Sequence, residues 1–177
     1  PGKEGHDMSS NDHLKTKGAP SFDELERVGM LPSLADLAGR GCVCVECVEE
    51  IPCNPCETSC PQGALVVGYP ITNLPVVDRS KCTLCGLCIA ACPGLAVTIK
   101  CVEGESGRIW FPYEYLPLPT VGDVVEMVDR LGGTVCQGKI LSVNSAVRNN
   151  RTAVVTAAFP AAFVQHVVSI RRKHGTV

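Results

Sequence analysis

Twelve cysteines stand in a chain of 177 residues, and eight of them fall into two ordered runs. The second run is the regular one, Cys82-Thr-Leu-Cys85-Gly-Leu-Cys88-Ile-Ala-Ala-Cys92-Pro93, with spacing C-x2-C-x2-C-x3-C-P. Three thiolates two residues apart on a tight loop can reach three corners of one iron–sulfur cube. The fourth, three residues further on and beside a short helix, points away and ligates a second cube. Gly86 permits a positive φ in the wrapping loop. Leu84, Leu87 and Ile89 would keep water off the sulfurs, which matters because burial and hydrogen bonding set the potential. A zinc site built from two C-x2-C pairs requires neither a third cysteine at that spacing nor a following Cys-Pro.

The first run departs from this pattern. Counting back from Cys60-Pro61, Cys56 and Cys53 stand where the regular spacing requires, but the next position is Glu50, and Cys47 lies three residues earlier. Two readings remain. In the preferred one, Val48 to Pro52 arch outward, braced by Pro52 and Pro55, so that Cys47 supplies the corner. In the other, the corner is filled by Glu50 or left vacant, as in a [3Fe–4S] centre. The crossed pattern then groups Cys47, Cys53, Cys56 and Cys92 around one cluster, and Cys82, Cys85, Cys88 and Cys60 around the other.

Four cysteines remain. Cys44 is a reserve ligand, because Cys44-x2-Cys47 imitates a ligand pair, and Cys42 is an extra. Cys101 and Cys136 lie in apolar, strand-like surroundings typical of plain buried cysteines. No other chemistry can be read. The radical-enzyme spacing C-x3-C-x2-C fails at Gly63 and at Leu95, and no G-x-G-x-x-G follows a strand. The four histidines are scattered, and no nucleophile–base pair emerges, so no catalytic site is expected on the chain itself.

Composition agrees with a folded metalloprotein. Hydrophobic residues make up 45% and charged residues 19%, while aromatics are only 5%, so large core anchors are scarce and metal staples are useful. Cysteines in this number imply disulfides or metal. The polar first residues contain no apolar signal segment, so a reducing cytoplasm, and hence metal, is expected. No stretch approaches the roughly 18 apolar residues of a membrane span. Residues 108–177 carry a net +4 against −2 for the whole chain, but no basic stripe with interleaved aromatics, so nucleic acid is not an expected partner.

The elements around the cysteines follow from local signals. Residues 1–20 lack periodicity and read as a tail. Ser21-Phe-Asp-Glu24 is a capping box that opens a short helix to about Met30. The Leu34/Leu37 pair marks a second helix, and Val43 and Val45 alternate as a strand. Cys53–Val67 and Cys85–Ile99 repeat one loop–helix–strand unit. Beyond a turn at 103–107, Trp110–Pro119 reads as a Pro-rich extended strap. Val121–Asp129, Gly133–Val143 and Thr152–Phe159 read as strands. Pro160 then opens a last helix carrying Phe163, Val167, Val168 and Ile170, closed by Arg171-Arg-Lys173.

On its cysteine runs the segment 42–101 resembles bacterial-type two-cluster ferredoxin domains. The stretch Glu46–Pro61, the Pro-rich strap and the Gly-Asp pair near Val121 look more narrowly like the ferredoxin-like subunits of flavin-dependent amino- or imino-acid dehydrogenases, of the proline, hydroxyproline, sarcosine or opine type. The resemblance, together with the elements read above, implies an α+β chain in three parts: an N-terminal extension at 1–41, a two-cluster ferredoxin fold at 42–102, and a small β-rich docking unit at 108–177 that ends in a helix. It also implies two [4Fe–4S] clusters, the first open to being [3Fe–4S], and flavin-containing partner subunits in a hetero-oligomer. A freely diffusing ferredoxin and a binding protein with structural clusters are the rival expectations. The former tends to be compact and strongly acidic, which this chain is not.

Overall fold

The computed structural model of the chain describes residues 13–172. Residues 1–12 of the expected tail, and the basic end of the expected last helix from Lys173, lie outside that range. His13–Lys17 forms one helical stretch, α1, whose His13 N–H donates to Glu24 at 2.8 Å. Two serines start the next helices by the same device. Ser21 Oγ accepts from the Glu24 N–H at 3.1 Å while the Glu24 carboxylate accepts from Ser21, opening α2 at Phe22–Arg27. Ser33 and Asp36 repeat the exchange at α3, Leu34–Leu37. Each helix sinks one leucine, Leu25 or Leu37, fully into the core.

Strand β1, Cys42–Val45, is buried on both faces, and its alternation divides the molecule into two cores. Val43 and Val45 pack with Cys56, Leu65, Ile89, Val97 and Ile99, on the side of the cysteine runs. Cys42 and Cys44 face the opposite core, with Leu37, Phe111, Met127, Val155 and Val167. β1 pairs antiparallel with β4, Val97–Glu103, in the register Cys42↔Lys100 to Val45↔Val97. Between them lie the short helix α4 at Pro55–Thr58, the hairpin of β2 (Leu65–Val66) and β3 (Val76–Val77), and the helix α5 at Leu87–Ala91.

The sheet does not stop at β4. β5 (Ser106–Tyr113), β6 (Val124–Val128), β7 (Thr134–Asn144), β8 (Ala153–Pro160) and β9 (Ser169–Ile170) continue it in the order β1-β4-β5-β8-β7-β6-β9, all neighbours antiparallel. The sheet curls until β9 touches β5, which encloses the second core. A tight approach anchors the N-terminal segment to it. A Cβ on Gly41, at φ +75°, would stand 2.1 Å from the Lys100 carbonyl oxygen, so only glycine lets this loop lie on β4.

The three strands expected in the last third are β6, β7 and β8. Two other expectations there need correction. Trp110–Tyr113 is no strap but the end of β5, and the chain leaves the sheet only after Tyr113. Pro112 is tolerated because the ladder to β4 ends at Trp110, so its missing N–H breaks no bond on that side. The chain also does not end in the expected helix. Ala161–Phe163 makes one 3-10 turn, after which Ser169–Ile170 joins β6 as β9. The open edge of β6 explains this. The Val168 N–H donates to the Val128 carbonyl at 2.9 Å and the Arg171 N–H to the Glu126 carbonyl at 2.8 Å, contacts that a helix could not make.

Candidate metal centres

Each cysteine is aimed by its local backbone. Cys53 and Cys56 flank the start of α4, where Pro55 takes a first-turn position that needs no N–H. Cys82 and Cys85 lie on a loop turned by Leu84 (φ +58°) and Gly86 (φ +77°), both left-handed, and Gly86 caps α5, which carries Cys88. Cys92 ends that helix. The two repeats match after their Cys-Pro pairs. Ala64 N–H donates to Cys60 Sγ at 3.2 Å, and Ala96 N–H donates to Cys92 Sγ at 3.4 Å, four residues on in both. The preceding residue is left-handed in both as well: Gly63 at φ +57° and Leu95 at φ +53°.

Two cavities result. One is lined by Cys47, Cys53, Cys56 and Cys92, with Val45, Ile51, Pro55, Pro75 and Val97 around them. The other is lined by Cys60, Cys82, Cys85 and Cys88, with Val43, Leu65, Val77, Leu84 and Leu87. Each cavity thus gathers three cysteines from one run and the fourth from the other. The irregular stretch bends so that Cys47 reaches the first cavity while Glu50 stays exposed and outside its lining. The bend is held where Cys53 N–H donates to the Ile71 carbonyl at 3.2 Å. Cys44 and Cys42 face the opposite core, Cys101 is buried on β4, and Cys136 packs against the second core, so none of these joins either group.

The electrostatics of the thiols bears on what the cavities can hold. Burial pushes the Cys56 thiol up to about 11, with Cys92 and the other neighbouring sulfurs adding to the shift. Burial pushes Cys88 to about 12, helped by Cys85, Cys82 and Cys60. Cys47 is raised by burial and by Cys92 and Cys53. Cys60 differs. Burial works upward on it too, but the backbone N–H groups of Ala64, Gln62, Leu65 and Gly63 outweigh this and hold it below an ordinary thiol. Four thiolates facing one another in an apolar hollow repel until a cationic centre takes them up, and iron ligation does this. Among the described residues no three His, Cys, Asp or Glu side chains converge closely enough to hold one metal ion. The donor set, four sulfurs around an apolar hollow, fits a multi-iron cluster.

A family model for a 4Fe–4S binding domain matches residues 75–98. The chain carries a 4Fe–4S ferredoxin domain. Curated relatives match about a third of the chain. The polyferredoxin-like subunit of an aliphatic sulfonate oxidoreductase of Pyrococcus furiosus is 41% identical, over 35% of this chain and 33% of its own. One subunit of the Na(+)-translocating ferredoxin:NAD(+) oxidoreductase complex of Acetobacterium woodii is 38% identical, over 30% of this chain and 18% of its own. A subunit of an ion-translocating oxidoreductase complex of Methanosarcina acetivorans is 42% identical, over 28% and 18%. The chain therefore spans between about a fifth and a third of these relatives. No solved structure matches it significantly. Among the described residues no helix is long and apolar enough to cross a membrane.

Sequence reasoning overlooked the polar group behind the ferredoxin domain. Glu46, next to Cys47, receives two hydrogen bonds of 2.6 Å from Arg130 and lies 3.6 Å from the buried Lys100 ammonium. Arg130 also donates to the Gln165 carbonyl at 3.0 Å. The one available signal was a lysine inside the largely apolar strand Val97–Glu103. Burial pushes the Lys100 amine below its ordinary value, and Glu46 pulls back against that.

Proposed function

We propose that this chain is the electron-transfer component of a multi-subunit oxidoreductase and binds two [4Fe–4S] clusters. Cys47, Cys53, Cys56 and Cys92 hold one, and Cys60, Cys82, Cys85 and Cys88 hold the other. The observation that carries this reading is the sorting of eight cysteines into two cavities of four, each sharing one cysteine with the opposite run. When bound, such clusters take up and release single electrons. The chain's residues hold them apart from water: Ile89, Val97 and Ile99 form an apolar floor, and the Ala64 and Ala96 amides donate to sulfur.

The partner in this proposal is a flavin-containing dehydrogenase of the amino- or imino-acid type, within a hetero-oligomer. The named subunits among the curated relatives support membership of a complex, and the resemblance at Glu46–Pro61 supports the flavoprotein. The chain by itself then has no dehydrogenase activity. Anaerobic iron and sulfide assays test the first half of the proposal; a colourless zinc protein without sulfide overturns it. Co-expression with the products of adjacent genes, then size-exclusion chromatography and substrate titration, tests the second. A stable lone monomer that exchanges electrons with unrelated reductases would make it a freely diffusing ferredoxin.

A further inference from the structure

The two cysteine groups sit in different electrostatic surroundings. Beside Cys82, Arg40 Nη2 donates to the Cys82 carbonyl oxygen. Two other cations stand close by, but each has a carboxylate: Arg79 pairs with Asp36, and Lys81 with Asp78 at 3.2 Å. Of these three cations, Arg40 is the one that pairs with no carboxylate among the described residues. Its place is built into the fold. The Ser33–Asp36 cap starts α3 at the right point, Gly39 N–H donates to the Val102 carbonyl at 3.1 Å, and Gly41 lets the loop lie on β4. A cavity of about 180 Å³ lined by Arg40, Arg79, Cys42, Cys82 and Leu84 adjoins this group.

The other group has the opposite charge beside it. Glu49 lines the Cys47 cavity, and Glu50 follows it on the exposed side; no lysine or arginine of the described residues pairs with either. Glu46 is answered by Arg130 and Lys100. Lys100 leaves β4 on the face opposite Val97 and Ile99, so the sheet stands between it and the Cys47/Cys53/Cys56/Cys92 group.

We propose that Arg40 raises the midpoint potential of the Cys60/Cys82/Cys85/Cys88 group above that of the Cys47/Cys53/Cys56/Cys92 group, giving electron flow a direction along the chain. This rests on the two-cluster reading above. Reduction adds one negative charge, so a cation nearby favours it and the Glu49 carboxylate opposes it. One electron from an external donor, a reduced flavin in the proposed complex, comes to rest on the Cys82 side. There Cys85 is the exposed cysteine, and the exit to an acceptor lies beside it. The N-terminal loop at Arg40 thereby acquires a role in tuning rather than in binding.

The test is a potentiometric titration of the anaerobically reconstituted full chain with dithionite, followed by EPR, together with iron and sulfide content. The expected result is two reduction waves. Arg40→Gln lowers the upper wave and leaves the lower one in place, while Arg40→Lys restores it. Glu49→Gln raises the lower wave alone. Cys85→Ser alters the signal of the upper wave, which fixes its location. With iron and sulfide complete, an upper wave unmoved by Arg40→Gln, or a lower wave marked by Cys85→Ser, overturns the inference and leaves the two-cluster reading intact. Half the iron in the unaltered chain overturns both.

Discussion

Arg130 grips Glu46 through two hydrogen bonds of 2.6 Å, across 84 positions of sequence. The arginine is 8% and the carboxylate 13% exposed, so neither charge is left to water. One partner lies on the turn after β6, the other next to Cys47. The contact ties the last strands of the sheet to the residue that precedes Cys47.

Removing one side of such a pair leaves a charge buried without its partner. Arg130→Met should destabilise the chain by about 3 kcal/mol, the lower end for a broken buried pair because Lys100 remains. Arg130→Met combined with Glu46→Gln should recover part of that loss. Anaerobic urea denaturation of both variants measures the difference.

Lys100 makes a contrasting prediction. Its folded pKa lies below its unfolded value, so the folded state binds fewer protons above that folded pKa, and stability rises with pH there. Lys100→Met removes a buried charge while Arg130 still answers Glu46, so at neutral pH the variant should be as stable as the unaltered chain or more so. Its advantage should shrink as pH climbs through the folded pKa of Lys100. Denaturation midpoints across the alkaline range give the answer.

The irregular corner is tested by iron content. Cys47→Ser should reduce about eight iron atoms per chain to about four, the loss of one cube, whereas Glu50→Gln should leave the count unchanged. Cys44→Ser should also leave it unchanged, since that thiol faces the other core.

Two left-handed glycines should behave differently. Around Gly63 a Cβ would meet nothing within 4 Å, and its counterpart Leu95 already carries a side chain at the same φ. Gly63→Ala should therefore cost about 1 kcal/mol, the backbone penalty alone. Gly41→Ala adds a Cβ 2.5 Å from that of Cys101 as well as the carbonyl clash, and should cost more than about 2 kcal/mol. Thermal unfolding of the two variants side by side ranks them.

The cysteine spacing, the capping box at Ser21 and the alternation of β1 were legible because each is decided within a few residues of chain. A loop of fixed length can carry its thiols to only one place, and a serine three residues before a carboxylate has one efficient bond to make. The matches of Cys53 with Cys85 and of Cys60 with Cys92 were likewise readable as a repeat. What only the tertiary structure decided lies between distant residues. Ser106–Tyr113 became a central strand because β4 and β8 both offered it a partner. Ser169–Ile170 became a strand rather than a helix because the bare edge of β6 needed hydrogen bonds. Glu46 took Arg130, and Cys82 took Arg40, because a buried carboxylate and an exposed carbonyl accept whichever donor the fold brings to them, and no local pattern names that donor.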